Sequence, residues 1–191
     1  PVPPFLFGFW FFNHKTGDKM TGGDFVREKF KDHGYKILGS TEFTTHPSIR
    51  SQLAPNVPSK IPENYLLAAP EQRIELLRGI IHAKSRQYSK SRDMFRFSCG
   101  HFGTIQQIQY LVESLGHRTY IEQRPSTNDY AIRFRSRLQL IEGQKSPPLK
   151  VHQSRRYITQ INPLPEQMCV YIETTAPDNT ILVGEGFIAC R

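Results

Sequence analysis

The sequence predicts an α+β chain: an internal pseudo-repeat of helices and antiparallel strands, followed by a separate run of β-strands. Three observations predict it. Two apolar segments, PPFLFGFWFFNHKTG and EQRIELLRGIIHAKS, each carry a glycine inside a helix-compatible run. Two later pieces, FVREKFKDHGYKI and IQYLVESLGHRTYI, share the order amphipathic helix, glycine, strand, which is a weak internal repeat. Residues 151–191 then change to β-favouring residues separated by turn signals.

The elements follow in order. The run from Pro3 to Phe12 begins after prolines and reads as a short buried helix ending near Asn13 or His14. Periodicity alone also allows a buried strand. Residues 24–33 form an amphipathic helix, with Asp24 as cap, Val26 and Phe30 on one face and Gly34 as stop. A strand, Tyr35 to Leu38, comes next. Only residues 14–23 separate the first two helices, which leaves little room for a strand pair. Residues 46–62 are rich in Pro and Ser and read as a long irregular connection. Residues 70–82 make the clearest helix, with Pro70 and Glu71 in the first turn and Ile74, Leu77 and Ile81 on one face. A strand from Met94 to Cys99 and a helix from Gly103 to Leu115, ended by Gly116, precede two strands near 117–123 and 129–140. Pro125, Ser126, Asn128 and Asp129 mark the turn between those strands. A Pro-rich joint, Lys145 to Leu149, divides the chain into residues 1–144 and 151–191.

Composition bounds the partners. A chain of 191 residues that is 38% hydrophobic and 22% charged holds enough apolar material for a core, which excludes wholesale disorder. The net charge of +8 favours a polyanion, and nucleic acid is the commonest. Cys99, Cys169 and Cys190 form no zinc pattern, and their sparse, odd count suits a reducing intracellular compartment. The remaining histidines, His33, His46, His101, His117 and His152, lack metal-ligand spacing. The opening apolar run is too short to span a bilayer and follows no positively charged segment, so neither a membrane span nor a signal peptide is expected. Because the first residue is not Met, the chain reads as a processed product or a piece of a longer one.

A second constellation lies on the strands. In YAIRFRSRL, Arg133, Arg135 and Arg137 alternate with Ile132, Phe134 and Leu138. In RDMFRFSC, Arg92 and Arg96 share one face while Phe95 and Phe97 take the other. Alternation along a strand gives one guanidinium face and one core face. Lys90, Arg118 and Arg124 lie near the strand ends. The pattern fits phosphate and base contact, and it also fits an ordinary solvated sheet face.

The two apolar segments resemble the paired motifs of LAGLIDADG homing endonucleases of the intein type. PPFLFGFWFFNHKTG is similar to the first motif and EQRIELLRGIIHAKS to the second, with IPENYLLAAPEQRIELLRG as the flank of the second. The likeness covers roughly residues 3–141. It implies an αββαββα pseudo-repeat with an antiparallel saddle sheet lying in the major groove of double-stranded DNA. In the family two short helices pack along small residues, and Gly8 and Gly79 match those positions. Each helix then ends on an acid, and the two acids bind Mg²⁺ to activate water and stabilise the leaving oxygen. By register from the glycines, the acid positions are held here by Asn13 and Lys84, followed by His14 and Ser85. An amide is a weak ligand and an ammonium repels a metal ion, so the chain is expected to bind no metal there and not to cut. Asp18 and Asp93 are the nearest substitute acids.

The tail segment QMCVYIETTAPDNTILVGEGFIAC resembles the C-terminal splicing segment of inteins. That likeness implies that residues 151–191 supply β-strands of a Hint-type splicing domain, with Asp178 in the turn between a strand pair. It also implies the N-terminal half of such a domain as a partner. The family pattern ends in His-Asn, whereas this sequence ends in Arg191, which either replaces the penultimate His or precedes it. No N-terminal splicing nucleophile is visible, so the chain is expected not to splice alone. The resulting expectation is a DNA-binding, cleavage-inactive domain. Arg92, Arg96, Arg133, Arg135 and Arg137 are its DNA contacts. The alternative is a structural passenger that supports intein folding or assembly without specific DNA binding.

Overall fold

The computed structural model describes residues 2–13, 19–35, 37, 42–44, 60–84, 86–89, 94–124, 129–142, 144, 160–168, 172–175, 181–183 and 188–190. The chain divides into two units, Pro1–Ser146 and Pro147–Arg191. The first is a mixed α+β unit with a small antiparallel sheet.

Helix α1 (Pro4–Asn13) is buried at every residue from Phe5 to Phe12. A helix that is apolar all round needs neighbours on every side, and α1 has them. Phe9 meets Phe30 of α2 (Asp24–Asp32), Phe7 stacks on Tyr65 of α3 (Glu63–Leu66) at 4.3 Å, and Phe12 meets Phe97 of the sheet. Its closest partner is α4 (Pro70–Lys84), which buries Leu76, Leu77, Gly79, Ile80 and Ile81.

Helices α2 and α5 (Phe102–Ser114) end by one device. Gly34 and Gly116 have φ of +79° and +82°. After α2, Gly34 N–H donates to Lys31 O and Tyr35 N–H to Phe30 O; after α5, Gly116 donates to Glu113 O and His117 to Val112 O. This is the paired bonding of a Schellman motif. Tyr35 therefore packs back on Phe30, 5.5 Å between ring centroids, instead of starting a strand. Of the expected strand at 35–38, Tyr35 and Ile37 are irregular and Lys36 and Leu38 lie outside the described residues; a strand β2 is formed by Glu42–Thr44. Strand β1 (Lys19–Thr21) sits in the short gap before α2 and pairs antiparallel with β2, Met20 opposite Phe43. The cap of α2 is also corrected: the capping residue is Gly23, extended at φ −65° and ψ 173°, with no side-chain cap bond, and Asp24 pairs with Arg27 one turn along.

The second half holds an antiparallel four-stranded sheet in the order β3-β4-β6-β5, formed by Arg86–Ser89, Met94–Cys99, Asp129–Arg135 and Thr119–Arg124 respectively. Phe95, Phe97, Ile132 and Phe134 turn inward against the helices, and Phe95 stacks on Phe134. Strand β6 stops at Arg135, short of the expected residue 140. Ser136 Oγ accepts from Leu138 N–H at 3.1 Å, a local turn that competes with the ladder.

The end of the 46–62 connection is anchored. Ile61 is buried, and Gln107 of α5 binds both its backbone groups, Ile61 N–H to Oε1 at 2.7 Å and Nε2 to Ile61 O at 2.8 Å.

In the second unit, residues 160–168 and 172–175 form no strand. Strands β7 (Ile181–Val183) and β8 (Ile188–Cys190) pair antiparallel. Asp178 and Arg191 lie outside the described residues, as does Cys169. Among the described residues no helix is long and apolar enough to cross a membrane.

Candidate nucleic-acid interface

Two places carry the candidate chemistry: the crossing of α1 and α4 with the ends of those helices, and the outward face of the four-stranded sheet. At the crossing the backbones touch. A Cβ on Gly8 would lie against Leu76 O and 3.1 Å from Ile80 N, and one on Gly79 against Phe5 O and 2.8 Å from Phe9 N. No residue larger than glycine fits either place without moving a helix.

The ends of the same helices carry Asn13 and Lys84. Asn13 Nδ2 donates to Phe9 O at 3.1 Å, so its amide folds back on α1. Lys84 is exposed at the last position of α4, where a cation is favoured by the carbonyl end of the helix. The pair offers one neutral amide oxygen and an ammonium that repels a cation, and no carboxylate, which makes it a poor donor set for Mg²⁺. Among the described residues no group of three His, Cys, Asp or Glu side chains could hold a metal. Asp18, Asp93, His14 and Ser85 lie outside the described residues.

The sheet face is built by register. Arg96 of β4 stands opposite Arg133 of β6, and Met94 opposite Arg135. Arg133 in turn faces Tyr120 of β5, and register places Arg86 of β3 beside Arg96. The inward neighbours are phenylalanine and isoleucine, so the alternation that buries Phe95, Phe134 and Ile132 sends Arg96, Arg133 and Arg135 outward. The structure brings those three together. Arg137 is exposed but lies past the strand end, in the turn made by Ser136. Arg92 and Lys90 lie outside the described residues. Arg118 sits over the Tyr120 ring at 5.5 Å, and Tyr120 is itself exposed.

The face is not purely cationic. Like charges directly opposite on neighbouring strands repel, and Arg96 faces Arg133. Glu122, diagonal to Arg133 across the β5–β6 ladder, relieves this. Its Oε1 contacts Arg133 Nη2 and its Oε2 lies 3.7 Å from Arg96 Nη2. The side chains of Arg96, Glu122 and Arg133 are 19%, 37% and 39% exposed, so the triad is only partly in water. Sequence reasoning missed Glu122, although its two-residue spacing from Tyr120 in TYIEQR was the available signal.

Two histidines sit near these elements. Burial lowers the pKa of His82 on α4, Arg78 lowers it further, and Glu75 opposes them. The His82 ring stacks on Phe25 at 4.9 Å, and its Nε2 is buried with no hydrogen-bond partner among the described residues. Burial, then Arg137, lowers the pKa of His117, whose Nε2 is 3.2 Å from Ser136 Oγ.

No model of a protein family matches the sequence, and no curated protein matches it. Among solved structures, the chain is similar to mesophilic variants of the homing endonuclease I-DmoI. The TM-score is 0.45 at 11% identity, over 73% of this chain and 93% of that one. A variant of I-DmoI in complex with its target DNA aligns with a TM-score of 0.45, also at 11% identity, over 69% and 89% of the two chains. I-DmoI in complex with DNA and Mn gives 0.44 at 11% identity over 69% and 90%.

Proposed function

We propose that the first unit binds double-stranded DNA through the outward face of the β3-β4-β6-β5 sheet and does not cut it. The observation that carries this reading is the row of outward guanidiniums: Arg96, Arg133 and Arg135 on a sheet whose other face is core. A twisted antiparallel ribbon enters the major groove, and arginine there reaches both phosphate and guanine edges. Two features support descent from LAGLIDADG endonucleases: the α1–α4 crossing through Gly8 and Gly79, and the helix-strand-strand-helix-strand-strand order of the second half. Asn13 and Lys84 support loss of cutting, because neither supplies an oxyanion for Mg²⁺. Electrophoretic shift of the full chain on random duplex DNA tests the binding. A salt-sensitive shift is expected, and absence of any shift at low salt overturns it. Plasmid nicking with Mg²⁺ or Mn²⁺ tests the second half of the reading, and cleavage abolished by Asp18→Ala or Asp93→Ala would return a nuclease.

A second reading draws on Glu122. With one carboxylate shared by two of the three arginines, the domain could serve as a passenger that supports an intein fold and holds no specific DNA. The intein attribution itself rests on the tail residues alone. Mixing the chain with an N-terminal intein half and assaying for a ligated product tests it.

A further inference from the structure

The ends of α1 and α4 take no part in the sheet-face contacts described above. We propose that Lys84 is a backbone-phosphate contact at the junction of α4 with β3, a built-in cation that lets a DNA duplex lie against two helix C-termini without a divalent ion. The inference rests on the duplex-binding reading above and adds no base contact to it.

Both helices end beside the same strand pair. Phe12, next to Asn13 at the end of α1, holds its ring 4.7 Å from that of Phe97 on β4. Phe97 adjoins Arg96, and Arg96 pairs with Arg86, which opens β3 two residues after Lys84. The C-terminus of α1 and the C-terminus of α4 therefore converge beside the β3–β4 ladder.

Two converging C-termini are poor neighbours for phosphate. The last carbonyls of a helix carry about half a negative charge, so the pair opposes an anion with about one. The last turn of α1 holds no basic residue, and Asn13 donates its amide back to Phe9 O without adding charge. The last turn of α4 holds His82 and Lys84. The His82 ring is wedged between Phe5 and Phe25, whereas Lys84 is exposed. Lys84 thus brings a fixed positive charge, on a flexible stem with three N–H donors, to the place where the helix ends would repel the ligand. Neither last turn contains an Asp or Glu to oppose it. A lysine that only stabilised the end of α4 would change the melting temperature and leave binding alone, so the two roles separate by experiment.

The test uses the full chain with Lys84→Met, Lys84→Gln and Lys84→Arg. Lys31→Met, at an exposed position on α2, controls for net charge. Thermal melts report folding, and the glutamine variant keeps a polar side chain if the methionine disturbs it. Binding is measured by fluorescence anisotropy on a random-sequence duplex across a salt series. Loss of the ammonium in Lys84→Met and Lys84→Gln is expected to weaken binding about tenfold at low salt and to lower the salt slope by about 1. Lys84→Arg is expected to keep both, and Lys31→Met to leave the slope unchanged. Wild-type affinity is expected to be equal in Mg²⁺ and in EDTA at matched ionic strength. Wild-type affinity and slope in the methionine and glutamine variants, an equal loss in Lys31→Met, or wild-type binding only with Mg²⁺ each overturn this inference and leave duplex binding standing. No binding of duplex by wild type at low salt, with or without Mg²⁺, overturns both.

Discussion

Gly79 on α4 lies directly against the carbonyl oxygen of Phe5 on α1, closer than any side chain could come. The contact is reciprocal, since Gly8 on α1 lies against the carbonyl of Leu76 on α4. Gly79→Ala should therefore lower stability by about 1–3 kcal/mol from overpacking, against a helix-propensity gain of about 1 kcal/mol. Gly8→Ala should behave alike. Urea denaturation of each variant measures the difference, and an unchanged midpoint for both would show that the helices separate without cost.

Gly34 and Gly116 give the contrasting case. A Cβ at either would touch nothing within 4 Å, so only the left-handed backbone opposes substitution. Alanine at either position should cost about 1–2 kcal/mol through φ alone. Asparagine, which tolerates that conformation, should recover part of the loss in the same denaturation assay.

Acid should destabilise the first unit. His82 and His117 have folded pKa values below the ordinary 6.5, from burial first and then from Arg78 and Arg137 respectively. Below about pH 6.5 the unfolded chain binds protons that the folded chain resists. Stability is therefore full above that pH and lost as pH falls toward the folded values. His82→Phe replaces a buried, unpartnered nitrogen beside Phe25 with carbon and should raise stability at neutral pH by about 1 kcal/mol. It should also flatten the acid slope, leaving the part due to His117. Melting temperatures at neutral pH and at about pH 5 read both effects.

Arg135 differs from its neighbours on the sheet face by standing opposite Met94, whereas Arg133 contacts Glu122. Arg135→Ala should weaken binding to all duplexes alike and lower the salt slope by about 1, the mark of a phosphate contact. A loss confined to one sequence would instead make Arg135 a base reader.

The second half was more legible than the first for a physical reason. Its strands are six and seven residues long at β4, β5 and β6, enough for alternation to show as Phe against Arg. Strands β1 and β2 have three residues each, too few for any period, and the aromatic Tyr35 that suggested a strand was spent on a helix terminus. The glycines at the helix crossing were visible through the likeness of the two apolar segments to a paired motif in which short helices pack along small residues, Gly8 and Gly79 holding those positions. The spacing of Glu122 from Tyr120 gave its face of β5, but its pairing with arginines depends on which residue of β5 falls beside which residue of β6. In the tail, strand-like composition at 172–175 formed no strand.

The contacts that join the two halves of the first unit owe little to the covalent link between them. Tyr65 reaches back to Val2 O at 2.7 Å, Phe7 stacks on the Tyr65 ring, and Gly8 and Gly79 bring α1 onto α4. All these residues lie at or before Phe9 or at or beyond Ile61. A cut anywhere in 46–59 removes none of them. The unit is, in mechanical terms, two unequal pieces dovetailed together that share one chain. Expressed as separate polypeptides, 1–45 and 60–146 should find each other and refold as a heterodimer.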